Sequence, residues 1–361
     1  MKKEHGGNIY KYAGKVYDFS ANLNPLGTPM QVRRAIVENM DAYEAYPDPK
    51  NTELRKAIAE YHGVDEGLIA CGNGAEDVIY RIVCALNPEN ALVVAPTFSE
   101  YEEALETFGC SVDHFYLSEE NDFIPDAGIA GKIDGGDYDL VFICNPNNPT
   151  GIPVPRKVMM DIIYACDKTD SMLVMDECFM DFLSDAEKYT VMGEISRLPK
   201  AIILKSFTKL FAMAGLRLGY CVCGDSQTAE KIRECLTRWP VSTVAATAGV
   251  AALSVDGYAD RTKALVAIER EKLVAALIRA GFKLYDSCAN YIFFRSEIPL
   301  ERFLMQYGII IRNCDNYEGI FQPGGAESPK DVDGYYYRIA VRTPAENRYL
   351  MEALSDRMNG R

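Results

Sequence analysis

Between Ile69 and Ser206 short apolar runs alternate with stretches of helical pattern, and few architectures accept such an order. The runs are Leu92-Val93-Val94-Ala95, Val141-Phe142-Ile143, Leu173-Val174-Met175 and Ile202-Ile203-Leu204. Strands that alternate with helices in this way build an α/β fold, a mostly parallel sheet with helices on both faces. Upstream, Thr28-Pro29 reads as an N-cap with proline at the first helical position. A second helix is expected from about Thr52 to His62, stopped by Gly63. After Trp239-Pro240 the order changes. Helical sequence runs from about Val244 through Ala280, followed by strand-like Asn290–Arg295, Ile309–Arg312 and Tyr336–Val341. Strands after helices suggest a smaller α+β lobe. At 361 residues, 48% of them hydrophobic, the chain is long enough for two packed lobes.

Charge and composition narrow the partners. A net charge of -14 argues against nucleic acid and anionic membranes. A phosphate-bearing ligand would then need local arginines, which draws attention to Arg217, Arg312 and Arg338 among apolar neighbours. The 11 cysteines are scattered, form no Cys-x-x-Cys pair, and share the chain with only three histidines. They read as reduced core thiols, and no metal site is expected. Met1–Gly7 lacks an apolar signal core, and no apolar run reaches the ~20 residues of a membrane span. A soluble, cytoplasmic protein is the expectation.

Four motifs carry chemistry. Ile69–Glu76 reads as a strand entering a glycine turn and then a helix, where backbone amides at the helix start can receive an anion. The stretch is not a dinucleotide fingerprint, because Asp77 stands where the third glycine is required. Leu140–Cys144 is an apolar strand emptying into Asn145-Pro146-Asn147-Asn148-Pro149-Thr150-Gly151, a polar turn at the end where open α/β sheets bind ligands. Met172–Asp176 is another strand, ending in a carboxylate able to keep a pyridine nitrogen protonated. Finally, Ser206-Phe207-Thr208-Lys209 is followed by Arg217 in Gly215-Leu216-Arg217-Leu218-Gly219. A lysine beside hydroxyls and an arginine suits an aldehyde cofactor held as a Schiff base and gripped by its phosphate. The tetrad also fits the Ser-x-x-Lys of penicillin-binding proteins, but their Ser-Asp-Asn and Lys-Thr-Gly are missing, Lys168-Thr169-Asp170 being the nearest approach.

In this order the motifs resemble the fold-type I pyridoxal-phosphate enzymes of the class I/II aminotransferase family, nearly end to end. The resemblance implies pyridoxal 5'-phosphate as cofactor, Lys209 as the Schiff-base lysine and Asp176 as the partner of the pyridine nitrogen. It implies Asn148 beside the ring hydroxyl and Phe98 stacked on the ring. Ser206 and Arg217, with Gly74, Ala75 and Glu76 at the glycine turn, would hold the cofactor phosphate. Tyr46, in Tyr46-Pro47-Asp48-Pro49, is similar to a tyrosine that reaches the neighbouring subunit's cofactor, which implies a homodimer. Residues 1–45 would form an arm packed on the small lobe, 46–243 the large cofactor lobe and 244–361 the small lobe, with substrate between the lobes.

One position departs from the common pattern: Phe179 stands where many family members have a tyrosine that bonds the cofactor's phenolic oxygen. That feature, with His5-Gly6-Gly7 and Ser20-Ala21-Asn22-Leu23-Asn24-Pro25-Leu26-Gly27, resembles the threonine-phosphate decarboxylases of cobalamin synthesis; the histidinol-phosphate aminotransferases are the neighbouring branch. The resemblance implies decarboxylation of L-threonine O-3-phosphate, with transamination as the alternative. His5, Asn22, Arg312 and Arg338 are the candidates for a substrate anion site. Whether Arg338 takes carboxylate or phosphate, and whether serine phosphate also serves, stays open. A ligand-binding domain without catalysis is the third reading, disfavoured because Lys209, Asp176 and Asn148 are all present.

Overall fold

The apolar runs become the middle of a seven-stranded sheet. In the computed structural model, which describes residues 5–320 and 334–358, the chain first forms β1 (Tyr17–Asp18), α1 (Met30–Glu38) and α2 (Thr52–His62). Then come β2 (Ile69–Gly72), α3 (Gly74–Leu86), β3 (Asn90–Ala95), α4 (Glu100–Thr107), β4 (Ser111–Tyr116) and α5 (Gly128–Asp134). The large sheet is completed by β5 (Leu140–Cys144), α6 (Arg156–Lys168), β6 (Met172–Asp176), β7 (Ala201–Ser206), α7 (Phe207–Leu210) and β8 (Gly219–Cys223). Its order is β2-β8-β7-β6-β5-β3-β4. Only β8 runs against its neighbours; the other pairs are parallel.

Every residue of β5 and β7 is buried, and their side chains alternate between two cores. Val141, Ile143 and Ile203 enter one cluster, while Leu140, Phe142, Ile202 and Leu204 enter the other. Alternation of side chains with a period of two explains the split. Each large apolar side chain so buried contributes roughly 1.5–3 kcal/mol. That is why these strands are apolar at consecutive positions rather than at every second one.

The remaining elements are α8 (Ser226–Glu234), α9 (Thr243–Leu253), α10 (Tyr258–Arg279), β9 (Lys283–Leu284), β10 (Tyr291–Ser296), α11 (Glu301–Met305), β11 (Ile309–Ile310), β12 (Arg312–Asn313), β13 (Tyr335–Ala340) and α12 (Pro344–Met358). Strands β12-β13-β10-β9 make a second, antiparallel sheet. Strand β1 joins β11 in a parallel pair, and the Ala340 N–H donates to the Phe19 carbonyl, so the start of the chain is sewn to this second sheet. None of the helices described is long and apolar enough to cross a membrane.

Three local expectations shift. Helix α1 begins at Met30 with Pro29 outside it, because the Thr28 hydroxyl donates to the Ala212 carbonyl 2.9 Å away instead of capping. The helical stretch after Val244 divides into α9 and α10 at Gly257, whose φ of +62° a left-handed turn requires. The run Ile309–Arg312 divides at Ile311, one half pairing β1 and the other β13. Helix α2, by contrast, ends as read: Gly63 at φ +67° bonds back to the Ala59 carbonyl.

Candidate active site

The carboxyl ends of the parallel strands β3, β5, β6 and β7 release, in turn, the segments that carry Phe98, Asn148, Asp176 and Lys209. Cys144 pairs with Asp176, and Asp176 with Leu204. Ser206 and Gly72 both pair with Gly219 of β8, which draws the glycine turn at Gly74 to the end of β7. One cavity is lined by Ala75, Glu76, Phe98, Tyr101, Asn148, Asp176, Phe179, Ser206, Lys209 and Arg217 together with Cys144, Cys178 and Thr208. The structure thus brings together most of the residues singled out from sequence.

Lys209 stands at the end of the one-turn helix α7, which Ser206 caps by accepting from the Thr208 N–H at 3.1 Å. Among the described residues its Nζ makes no hydrogen bond or ion pair; it lies 5.5 Å from the centre of the Phe179 ring. Burial, then the charge of Arg338, bring Lys209 down to about 8. An amine so placed reaches its nucleophilic neutral form near physiological pH. Asp176, 6% exposed, accepts from the Tyr101 hydroxyl at 2.6 Å and from the Cys178 N–H at 2.9 Å. Burial and the neighbouring Asp176 charge push the Tyr101 hydroxyl well up, so Tyr101 stays a donor. Tyr101 itself is stacked on Phe142, centroids 4.9 Å apart.

Gly74 has φ +89°, and a Cβ there would stand 2.7 Å from Arg217 Nη2. Only glycine therefore lets this turn approach the guanidinium. Arg217 donates to Glu76 Oε2 at 3.2 Å. At the other rim, Arg338 bonds Asn148 Oδ1 and donates to the Ser20 carbonyl at 2.9 Å. Ser20 Oγ accepts from the Gly7 N–H at 2.8 Å, and a Cβ on Gly6 would collide with the Ser20 carbonyl. The His-Gly-Gly string is thus a turn packed on the segment that holds Arg338. His5 reaches Glu100 Oε1 at 2.7 Å and lies 5.6 Å from Phe98, ring to ring. Glu103 brings a third ligand atom within 4.8 Å of this pair. Asn22 is buried between Ser20 and Asn24, whose N–H donates to the Lys209 carbonyl. Asn22 Oδ1 and Arg338 Nε are buried with no partner.

Gly74, His5, Asn22 and Arg338 border this cavity without lining it, and Arg312 and Tyr46 lie further out. Arg312 bonds Asn316 and faces an adjoining hollow that shares Phe98. Tyr46 is 83% exposed and stacks on Trp239. The sequence gives no role to Tyr101, which lies in the first turn of α4 with its ring edge-on to that of Phe98, centroids 5.7 Å apart. Cys178 was also missed, and a cysteine two positions past a strand end carries no distinctive signal.

The chain matches the family described as aminotransferase class I and II over residues 14–354. It is 34% identical to a threonine-phosphate decarboxylase of Salmonella typhimurium over 99% of this chain and 97% of that protein. The chain belongs to the aminotransferase class I and II family. A histidinol-phosphate aminotransferase of Desulfitobacterium hafniense is 30% identical over 93% of this chain and 90% of that one. Among solved structures, the histidinol-phosphate aminotransferase from Clostridium acetobutylicum is 28% identical with a TM-score of 0.85, covering 95% of this chain and 99% of that one. The architecture is the family's fold type I, and the protein is a pyridoxal-phosphate-dependent enzyme. Its cavity fits that cofactor. A half-buried amine without a partner among the described residues, a carboxylate braced by two donors, and a glycine cradle below an arginine are the donor set an aldehyde, a pyridine nitrogen and a phosphate need.

Proposed function

We propose that this enzyme removes the carboxylate of L-threonine O-3-phosphate as carbon dioxide and leaves (R)-1-amino-2-propanol O-phosphate, a step in cobalamin synthesis. The observation that carries this reading is the arm beside the cavity. His5-Gly6-Gly7 is pinned through Ser20 to Arg338, which bonds the cavity-lining Asn148, and two buried polar atoms, Arg338 Nε and Asn22 Oδ1, have no hydrogen-bond partner. Identity of 34% along almost the whole length with a protein named threonine-phosphate decarboxylase supports the same choice.

Bound pyridoxal phosphate supplies the electron sink for the bond broken at the amine-bearing carbon. Lys209 would hold the cofactor through Nζ and, when free, would hold the proton that replaces the carboxylate. Asp176, oriented by Tyr101 and Cys178, would place its carboxylate at the pyridine nitrogen. Ser206, Arg217 and the backbone at Gly74 and Ala75 hold the cofactor phosphate, and Glu76 positions Arg217. Asn148 would serve the ring hydroxyl and Phe98 would pack on the ring, where offset stacking contributes about 0.5–1.5 kcal/mol. Phe179, next to Lys209, offers no hydroxyl to the cofactor. His5, Asn22, Arg312 and Arg338 take the substrate's two anionic groups, the guanidinium fork suiting either.

The working unit we infer is a cytoplasmic homodimer, with residues 1–45 as arm, 46–243 as cofactor lobe and 244–361 as small lobe. Met30, Val37, Met40 and Tyr46 are all more than half exposed within a short stretch, which is what a subunit interface around Tyr46 would cover. Transamination of histidinol phosphate is the second reading, favoured by the likeness to enzymes of that name. Two assays on one preparation separate the readings. Carbon dioxide and an amine from L-threonine O-3-phosphate alone support decarboxylation. Glutamate formed rapidly from histidinol phosphate and 2-oxoglutarate, without carbon dioxide, supports the other.

A further inference from the structure

Glu119 follows β4, at the edge of the large sheet, yet its carboxylate bonds to residues of the small one. Its carboxylate accepts from the Tyr285 hydroxyl at 2.6 Å, the Tyr336 hydroxyl at 2.5 Å, Lys283 Nζ at 3.1 Å and Arg295 Nη1 at 3.2 Å. Burial works to raise its pKa, but the bonds from Tyr285, Tyr336 and Lys283 outweigh it and bring the group down to about 2. Four residues on, Phe123 is buried edge-on against Tyr285, Phe293 and Tyr336, with centroids 5.2, 5.8 and 6.2 Å away. Asp122 and Phe123 hold φ of +48° and +57°, a conformation non-glycine residues keep only where surroundings impose it. The segment is built to dock.

What it docks on is one row of the small sheet. Lys283 stands opposite Arg295, and Arg295 opposite Tyr336. Two residues along, Phe293 stands opposite Arg338, and Arg338 opposite Arg312. Residues two apart on a strand share a face, about 6.6 Å from each other. The row that grips Glu119 is therefore the immediate neighbour of the row that carries both arginines of the anion site. That face would otherwise set Lys283, Arg295, Arg338 and Arg312 side by side, and Glu119 brings a carboxylate to the outer pair.

We propose that Glu119 is a positioning residue for substrate: by tying the Lys283–Arg295–Tyr336 row to the large sheet, it fixes where the next row presents Arg338 and Arg312. This rests on the reading that those arginines take the substrate's anionic groups. The group these two arginines grip is taken to be the phosphate, which does not react, so their misplacement lowers affinity for ground and transition states alike.

The test uses the holoenzyme and whichever phosphate ester it turns over in the two assays above. Glu119→Ala is expected to raise KM on the order of tenfold with kcat within about twofold, and to leave the resting visible spectrum unchanged. Glu119→Gln, which keeps one acceptor oxygen for the tyrosines, recovers part of the loss. Tyr285→Phe removes a single donor and raises KM less; it decides the matter if Glu119→Ala does not fold. Arg338→Ala separates the two levels. If it raises KM while neither Glu119→Ala nor Tyr285→Phe does, the latch is wrong and the arginine reading stands. If Arg338→Ala leaves KM unmoved, the arginine reading falls and the latch with it. A drop in kcat at unchanged KM in Glu119→Ala would also overturn the proposal.

Discussion

Lys209 has two properties that a surface lysine lacks: its half-buried amine has no partner among the described residues, and its pKa is brought down to about 8 by desolvation and by Arg338. Below that value its amine is mostly charged and cannot attack an aldehyde. Capture of pyridoxal phosphate by the cofactor-free protein should therefore quicken about tenfold per pH unit up to pH ~8 and level off above it. The growth of the visible band after mixing measures this. Borohydride should then fix the label on the Lys209 peptide, and Lys209→Ala should show neither band nor label. A label on Lys205, which is buried and paired with Asp181 at 2.8 Å, would contradict the assignment. At this scale the sequence was legible where chemistry and a strand end coincide, as at Asp176, Asn148 and Lys209. Tyr101 was less so: its role depends on the hydroxyl crossing to Asp176, 75 residues away, and nothing local encodes that.

At the scale of elements, the turn from β2 into α3 is the joint that bears on the site. Gly74 combines a positive φ with a guanidinium where its Cβ would be. Gly74→Ala should cost about 1–2 kcal/mol of backbone strain and displace Arg217, raising the cofactor dissociation constant roughly tenfold or more while the fold persists. Equilibrium dialysis against pyridoxal phosphate reads this; retention as tight as in the native protein would mean that the turn does not hold the phosphate. The strands of the large sheet were readable because burial on both faces writes an unbroken apolar run. The start of α1 was not, since the Thr28 hydroxyl has a rival acceptor in Ala212. Nor was the division at Ile311, where two different sheets compete for one strand.

Across the whole molecule, the two sheets meet through contacts far apart in sequence, Glu119 with Tyr336 and Asn148 with Arg338 among them. Patterns of period two or 3.6 carry no trace of such pairs, so the strands of the two sheets could be read and the contacts between them could not. Subunit assembly belongs to this scale as well. Sedimentation should show a dimer, and Tyr46→Phe should weaken cofactor retention severalfold; a fully active monomer at assay concentration would rule that arrangement out. The central claim is that this cavity breaks the bond to the carboxylate and spares the bond to hydrogen. Reaction of L-threonine O-3-phosphate in deuterium oxide, with the product read by mass and proton resonance, tests it directly. The account predicts an amine product carrying one non-exchangeable deuterium on the carbon that lost carbon dioxide. An oxo acid, or recovered substrate deuterated at its α-carbon with no carbon dioxide released, would contradict it.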